Sequence, residues 1–154
     1  MKVVLDIETI QAPREEWKRL LGRQPSAADL VPASDELDLF SAGAAAERRR
    51  LEEEQYAKSA FDGTFSAIVC IGLLEFSDQF EPRGAVAWYG SNERELLRQF
   101  WSRVAQARPS LFITHNGLGF DLPFIRKRSI IHQVKPSLDI NLAKFRTDPV
   151  YDTM

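Results

Sequence analysis

Met1-Lys2-Val3-Val4-Leu5-Asp6-Ile7-Glu8-Thr9 opens the chain as an apolar run and closes on two carboxylates. Side chains of a strand alternate faces with period two, so Asp6 and Glu8 share one side while Val3, Leu5 and Ile7 share the other. Two acids held together at the end of a buried strand repel each other and lose hydration. A divalent cation between them relieves both costs. The same residues also allow a plainer reading, with Asp6 capping a following turn and Glu8 solvated. What weighs toward the metal lies more than a hundred residues further on, at Asp121.

The chain has 154 residues, of which 44% are hydrophobic and 27% charged, the balance of one globular domain able to bury a core. No apolar run approaches a bilayer span, which argues against a membrane partner. The N-terminus has no basic region before its apolar stretch and reads as a strand, not a signal peptide. Cys70 lies in the apolar run 68–71 and is expected in the core. A reducing, cytoplasmic setting is the expectation. Residues 1–100 carry 12 basic and 18 acidic side chains, whereas residues 101–154 carry eight basic and four acidic ones. That asymmetry suits an acidic metal site beside a basic surface for a phosphodiester backbone, and scattered surface charge would produce it too.

Outward from the first strand, Pro13 and Gly22 bracket a short helix over 14–21. Residues 23–41 read as an irregular connection. From Ala42 to about Ala60 the runs Glu47-Arg48-Arg49-Arg50 and Glu52-Glu53-Glu54 predict a solvated helix laced by ion pairs one turn apart. Together, residues 11–60 form a helical insertion in a single domain spanning 1–154. Phe65 to Phe76 predicts a long strand and Ala85 to Tyr89 a third, in an antiparallel meander with residues 2–9 as its first member. Asn92 with Glu95 caps a helix over 92–108 whose stripe Leu96, Leu97, Phe100, Trp101, Val104 and Ala105 faces the core. A fourth strand covers Ser110 to His115, a helix begins near Asp121, and Leu138-Asp139-Ile140 is a short fifth strand.

The second decisive stretch is His115-Asn116-Gly117-Leu118-Gly119-Phe120-Asp121. Its Gly-x-Gly suggests a dinucleotide loop, but the third glycine of that pattern would fall at Leu122. What remains is an Asn at a strand exit and a Phe-Asp pair opening a helix, a favourable place for a carboxylate in its own right. The glycines allow another backbone, or a ligand, to come close.

Together with Asp6-Ile7-Glu8-Thr9, this stretch resembles the DEDD superfamily of 3′-5′ exonucleases. The first segment is similar to its Asp-x-Glu motif (Exo I) and the second to its Asn-x-x-x-Phe-Asp motif (Exo II). The His-Asn start and the Asp-Ile-Glu-Thr form look most like the proofreading exonuclease domains of family B DNA polymerases and their stand-alone relatives. The resemblance implies an α/β, ribonuclease-H-like fold, with a mixed sheet of order 3-2-1-4-5 flanked by helices and incomplete at its C-terminal end. It implies that Asp6, Glu8 and Asp121 are catalytic and hold two Mg²⁺ or Mn²⁺ ions, roughly 3.5–4 Å apart. It further implies that Thr9, His115, Asn116 and Phe120 contact the 3′ end of a single strand, DNA in the first place and RNA as the alternative.

The family also has a later Exo III motif, a fourth carboxylate preceded by a Tyr or His, and no such pair follows Asp121 at a sensible distance. The closing Tyr151-Asp152-Thr153-Met154 looks like a segment that relatives carry before Exo III. Residues 1–154 are thus expected to form roughly two-thirds of the family's domain. Asp139, Asp148 and Asp152 are stand-ins for the fourth acid, or structural residues and caps. A non-catalytic module of the same fold is the alternative to an enzyme. A second copy of the chain, or a replication or repair protein, is left open as a protein partner.

Overall fold

A computed structural model describes residues 1–21, 39–143 and 148–154. The connection expected over 23–41 falls largely outside them. The chain divides into two compact units, one of residues 1–10 with 67–154 and one of residues 11–66.

The larger unit is built on a five-stranded sheet. Its strands are β1 (Lys2–Gln11), β2 (Ser66–Phe76), β3 (Pro82–Tyr89), β4 (Leu111–Thr114) and β5 (Val150–Asp152), in the order β3-β2-β1-β4-β5. β2 and β3 pair antiparallel, while β1–β4 and β4–β5 are parallel, so the sheet is mixed as expected. In β1 the alternation holds: Val3, Leu5 and Ile7 are buried and Asp6 and Glu8 exposed. Val3 lies beside Phe112 and Phe112 beside Val150, so one row of buried side chains crosses the three parallel strands.

Two strand assignments are corrected. The fifth strand is Val150–Asp152, not Leu138–Ile140. Ile140 is buried as its pattern requires, but in irregular chain, because burial of an apolar residue needs no ladder partner. β3 begins at Pro82 instead of Ala85, which an edge strand permits because its first residue can do without an N–H.

α3 (Glu93–Ala107) and α4 (Asp121–Ile131) are where the sequence puts them. Asn92 accepts from the Glu95 N–H at 3.2 Å, and Arg108 ends α3 in the left-handed conformation at φ 45°. Five of the six stripe residues are buried, but Ala105 is exposed. Cys70 is only half-buried.

The smaller unit holds α1 (Arg14–Leu21), α2 (Leu39–Lys58) and a 3-10 turn over Ser59–Phe61. Trp17 is buried and meets the Tyr56 ring edge-on at 5.2 Å, while the Tyr56 hydroxyl donates to the Ala12 carbonyl at 3.0 Å. Arg14 grips Glu53 with both nitrogens, and Lys58 reaches Glu54 one turn back at 2.6 Å. Ala12 N–H donates to the Phe65 carbonyl at 3.1 Å, tying the two ends of the unit together.

Candidate active site

β1 continues past its last parallel pair with β4, Val4 with Ile113, so the backbone beyond has lost that ladder partner. A buried N–H must find another acceptor. The N–H of Ile7 finds it in Asp121, whose Oδ1 accepts at 3.1 Å across 114 residues of sequence. The strand bearing Asp6 and Glu8 is thereby joined to the first residue of α4.

Asp121 is 3% exposed. Burial lifts its carboxyl from 3.8 to about 6, the negative charges of Asp6 and Asp152 add to the rise, and N–H groups, that of Ile7 among them, oppose it. Asp121 thus occupies a place that is electrostatically short of positive charge.

The loop between β4 and α4 is shaped by close approaches. Asn116 adopts φ 59°, and its backbone carbonyl receives the N–H groups of Gly119 at 3.0 Å and Phe120 at 2.8 Å. A Cβ on Gly117 would lie 2.3 Å from the Thr114 side chain, and one on Gly119 would lie 2.4 Å from Asn116 Oδ1. The glycines therefore admit the protein's own Thr114 and Asn116. Phe120 is half-buried against Phe124, ring centroids 5.3 Å apart, and Asn116 is exposed. His115 is exposed too, its Nδ1 2.9 Å from Thr153 Oγ1, while Thr9 is half-buried on β1.

Asp152 ends β5 beside Thr114, and its Oδ2 accepts the Leu118 N–H at 2.9 Å. Burial pushes its carboxyl up, but the N–H groups of Leu118, Met154, Asn116 and Gly117 hold it below its ordinary value. Asp152 thus anchors the 116–118 loop through Oδ2, the capping role among those open to it. Sequence reasoning missed what it caps, since residues 118 and 152 meet only in the folded sheet. Asp139 and Asp148 are exposed.

The donor set suits a hard divalent cation. Asp6 and Asp121 offer carboxylate oxygens, the Asp6 charge pushes the Asp121 carboxyl up further, and Asp152 Oδ1 is buried with no hydrogen-bond partner among the described residues. Glu8 shares the exposed face of β1 with Asp6. Among the described residues, no three His, Cys, Asp or Glu side chains are gathered closely enough to hold an ion. The structure therefore brings Asp6 and Asp121 together and does not form a three-carboxylate cage.

Residues 59–145 match a family described as a predicted 3′-5′ exonuclease related to the exonuclease domain of PolB. Over 58 residues the chain is 38% identical to a DNA polymerase epsilon catalytic subunit from Arabidopsis thaliana, covering 38% of this chain and 3% of that protein. Over 66 residues it is 33% identical to a DNA polymerase of Thermococcus litoralis, covering 37% of this chain and 4% of that one. A solved family B DNA polymerase from the hyperthermophilic archaeon Pyrobaculum calidifontis aligns over 86% of this chain and 11% of its own, at TM-score 0.45 and 13% identity. The chain matches only a few per cent of the length of its polymerase relatives.

Proposed function

We propose, from the premise that this chain belongs to the family of predicted 3′-5′ exonucleases related to the exonuclease domain of PolB, that it hydrolyses the last phosphodiester at the 3′ end of single-stranded DNA in a divalent-metal-dependent reaction. The observation that carries the reading is the 3.1 Å hydrogen bond from Ile7 to Asp121, which joins the two acidic motifs at one place.

Asp6 and Asp121 would hold the cation, Mg²⁺ or Mn²⁺, with Glu8 beside Asp6 completing the set. When bound, such ions activate the attacking water and stabilise the leaving 3′-oxygen. The chain's own residues supply the rest. Asp121, with its carboxyl at about 6, is mostly ionised near neutral pH and ready to act as a ligand. Phe120, braced by Phe124, offers a fixed ring against the terminal sugar or base. Asn116, exposed at the turn, has amide hydrogens for a phosphate or sugar oxygen, and Thr9 and His115 flank the strand's end. We assign the activity to the cytoplasm.

The test is digestion of 5′-labelled single-stranded DNA with Mn²⁺ or Mg²⁺, comparing wild type with Asp6→Ala. A ladder of single-nucleotide steps that disappears in the variant is expected. A ladder that survives the substitution overturns the assignment.

One observation favours a second reading, a nucleic-acid-binding module without catalysis: no three candidate ligand side chains converge among the described residues. Strand binding with no ladder under either metal would establish it in place of the first. Labelled RNA in the same assay separates the substrate classes.

A further inference from the structure

Away from the acids, an open groove of about 500 Å³ runs between α3 and the chain that follows α4. Arg94, Arg98 and Lys135 line it, with Trp101 in its wall and the hydroxyls of Ser102 and Ser137 at its margin. All three cations are exposed, and none makes an ion pair or side-chain hydrogen bond among the described residues. Three unpaired positive charges around one concavity repel one another and attract a polyanion.

The wall is held in place from within. Ser137 Oγ donates to the Trp101 carbonyl at 2.7 Å, and Trp101 Nε1 donates to Ser129 Oγ at 2.9 Å. Gln133, at φ 54°, turns the chain out of α4, and the N–H of Val134 closes the turn on the Ser129 carbonyl at 2.8 Å. Lys135 is therefore presented by a bonded turn. Asp121 opens α4 and Gln133 to Ser137 follow its other end, so the groove lies about one 11-residue helix, roughly 16 Å, from the acids. Between residues 94 and 138 there are eight basic and two acidic side chains.

Resting on the exonuclease reading, we propose that this groove is a second contact for the sugar-phosphate backbone of the substrate strand. It grips phosphates upstream of the 3′ end, so that it serves long strands and not short ones. Arginine forks and an ammonium hold phosphate oxygens without reading sequence.

The experiment measures fluorescence anisotropy of labelled single-stranded DNA of about 4 and about 16 nucleotides, in Ca²⁺ across a salt series. Wild type is compared with Arg94→Glu/Arg98→Glu/Lys135→Glu and with an equal charge change elsewhere, Arg19→Glu/Arg48→Glu/Arg49→Glu. The groove variant is expected to bind the long strand about tenfold more weakly, with a salt slope shallower by about 2, and to bind the short strand as wild type does. Cleavage of the short strand in Mn²⁺ should persist, which also reports that the variant is folded. Unchanged long-strand binding, or an equal loss in the control triple variant, overturns the groove while leaving the nuclease reading intact. A wild-type protein that neither binds nor cuts any strand removes both.

Discussion

At the scale of single residues, the site is a place where folding stability has been given up. Asp121 holds its proton up to about pH 6 in the folded chain and only to about 3.8 when exposed. A carboxyl with a raised folded pKa favours the fold while protonated, so stability falls as pH rises from about 4 through 6, and the loss is complete above that. Asp121→Asn should therefore stabilise the metal-free protein near neutral pH by about 1 kcal/mol and flatten the pH dependence over that window, while abolishing the nuclease ladder. Urea titrations in chelator at several pH values check the stability effect. The glycines make a second prediction. Gly117→Ala drives a Cβ against the branched Thr114 side chain, whereas at Gly119 the obstacle is the movable end of Asn116. Gly117→Ala should cost roughly 1–3 kcal/mol and Gly119→Ala less, read as the shift in thermal midpoint.

At the scale of elements, α4 is clamped at both ends. Asp121 meets β1 at its start, and nearer its end Arg128 meets Glu93, which opens α3. Glu93 is 6% exposed and also accepts from the Ile68 N–H at 2.8 Å, with His132 Nε2 2.7 Å away. Burial raises its carboxyl, but Arg128, the Ile68 N–H and His132 together bring it below its ordinary value. Its contribution is thus present above about pH 4.5 and lost as pH falls. Glu93→Leu removes the carboxylate that both Arg128 and the Ile68 N–H bond and should cost roughly 3–5 kcal/mol, whereas Glu93→Leu/Arg128→Met should lose much less. Chemical denaturation of the two variants decides it. No periodicity marks Glu93 as buried, because it lies in the first turn, where acids are ordinarily solvated caps.

At the scale of the whole molecule, the smaller unit begins and ends at one point, where the Ala12 N–H reaches the Phe65 carbonyl. Replacing residues 13–64 by a tight turn should therefore leave the larger unit folded, with a single cooperative urea transition and near-UV dichroism from Trp88 and Trp101. Loss of cooperativity would show instead that the larger unit needs the smaller one. The larger unit's sheet places the ends of β1, β4 and β5 at one edge, the usual ligand edge where strands run parallel.

The sequence alone determined the alternation that separates Asp6 and Glu8 from Val3, Leu5 and Ile7, and both ends of α3. These rest on local periodicity and capping, which neighbouring residues specify among themselves. The pairing of two acidic motifs more than a hundred residues apart was implied instead by the resemblance to the exonuclease superfamily. Only the tertiary structure decided that β5 is Val150–Asp152, that Asp152 anchors the loop before α4, and that Glu93 is buried. A three-residue strand, a cap across 34 residues and a buried ion pair depend on partners supplied by distant chain, and no local pattern encodes them.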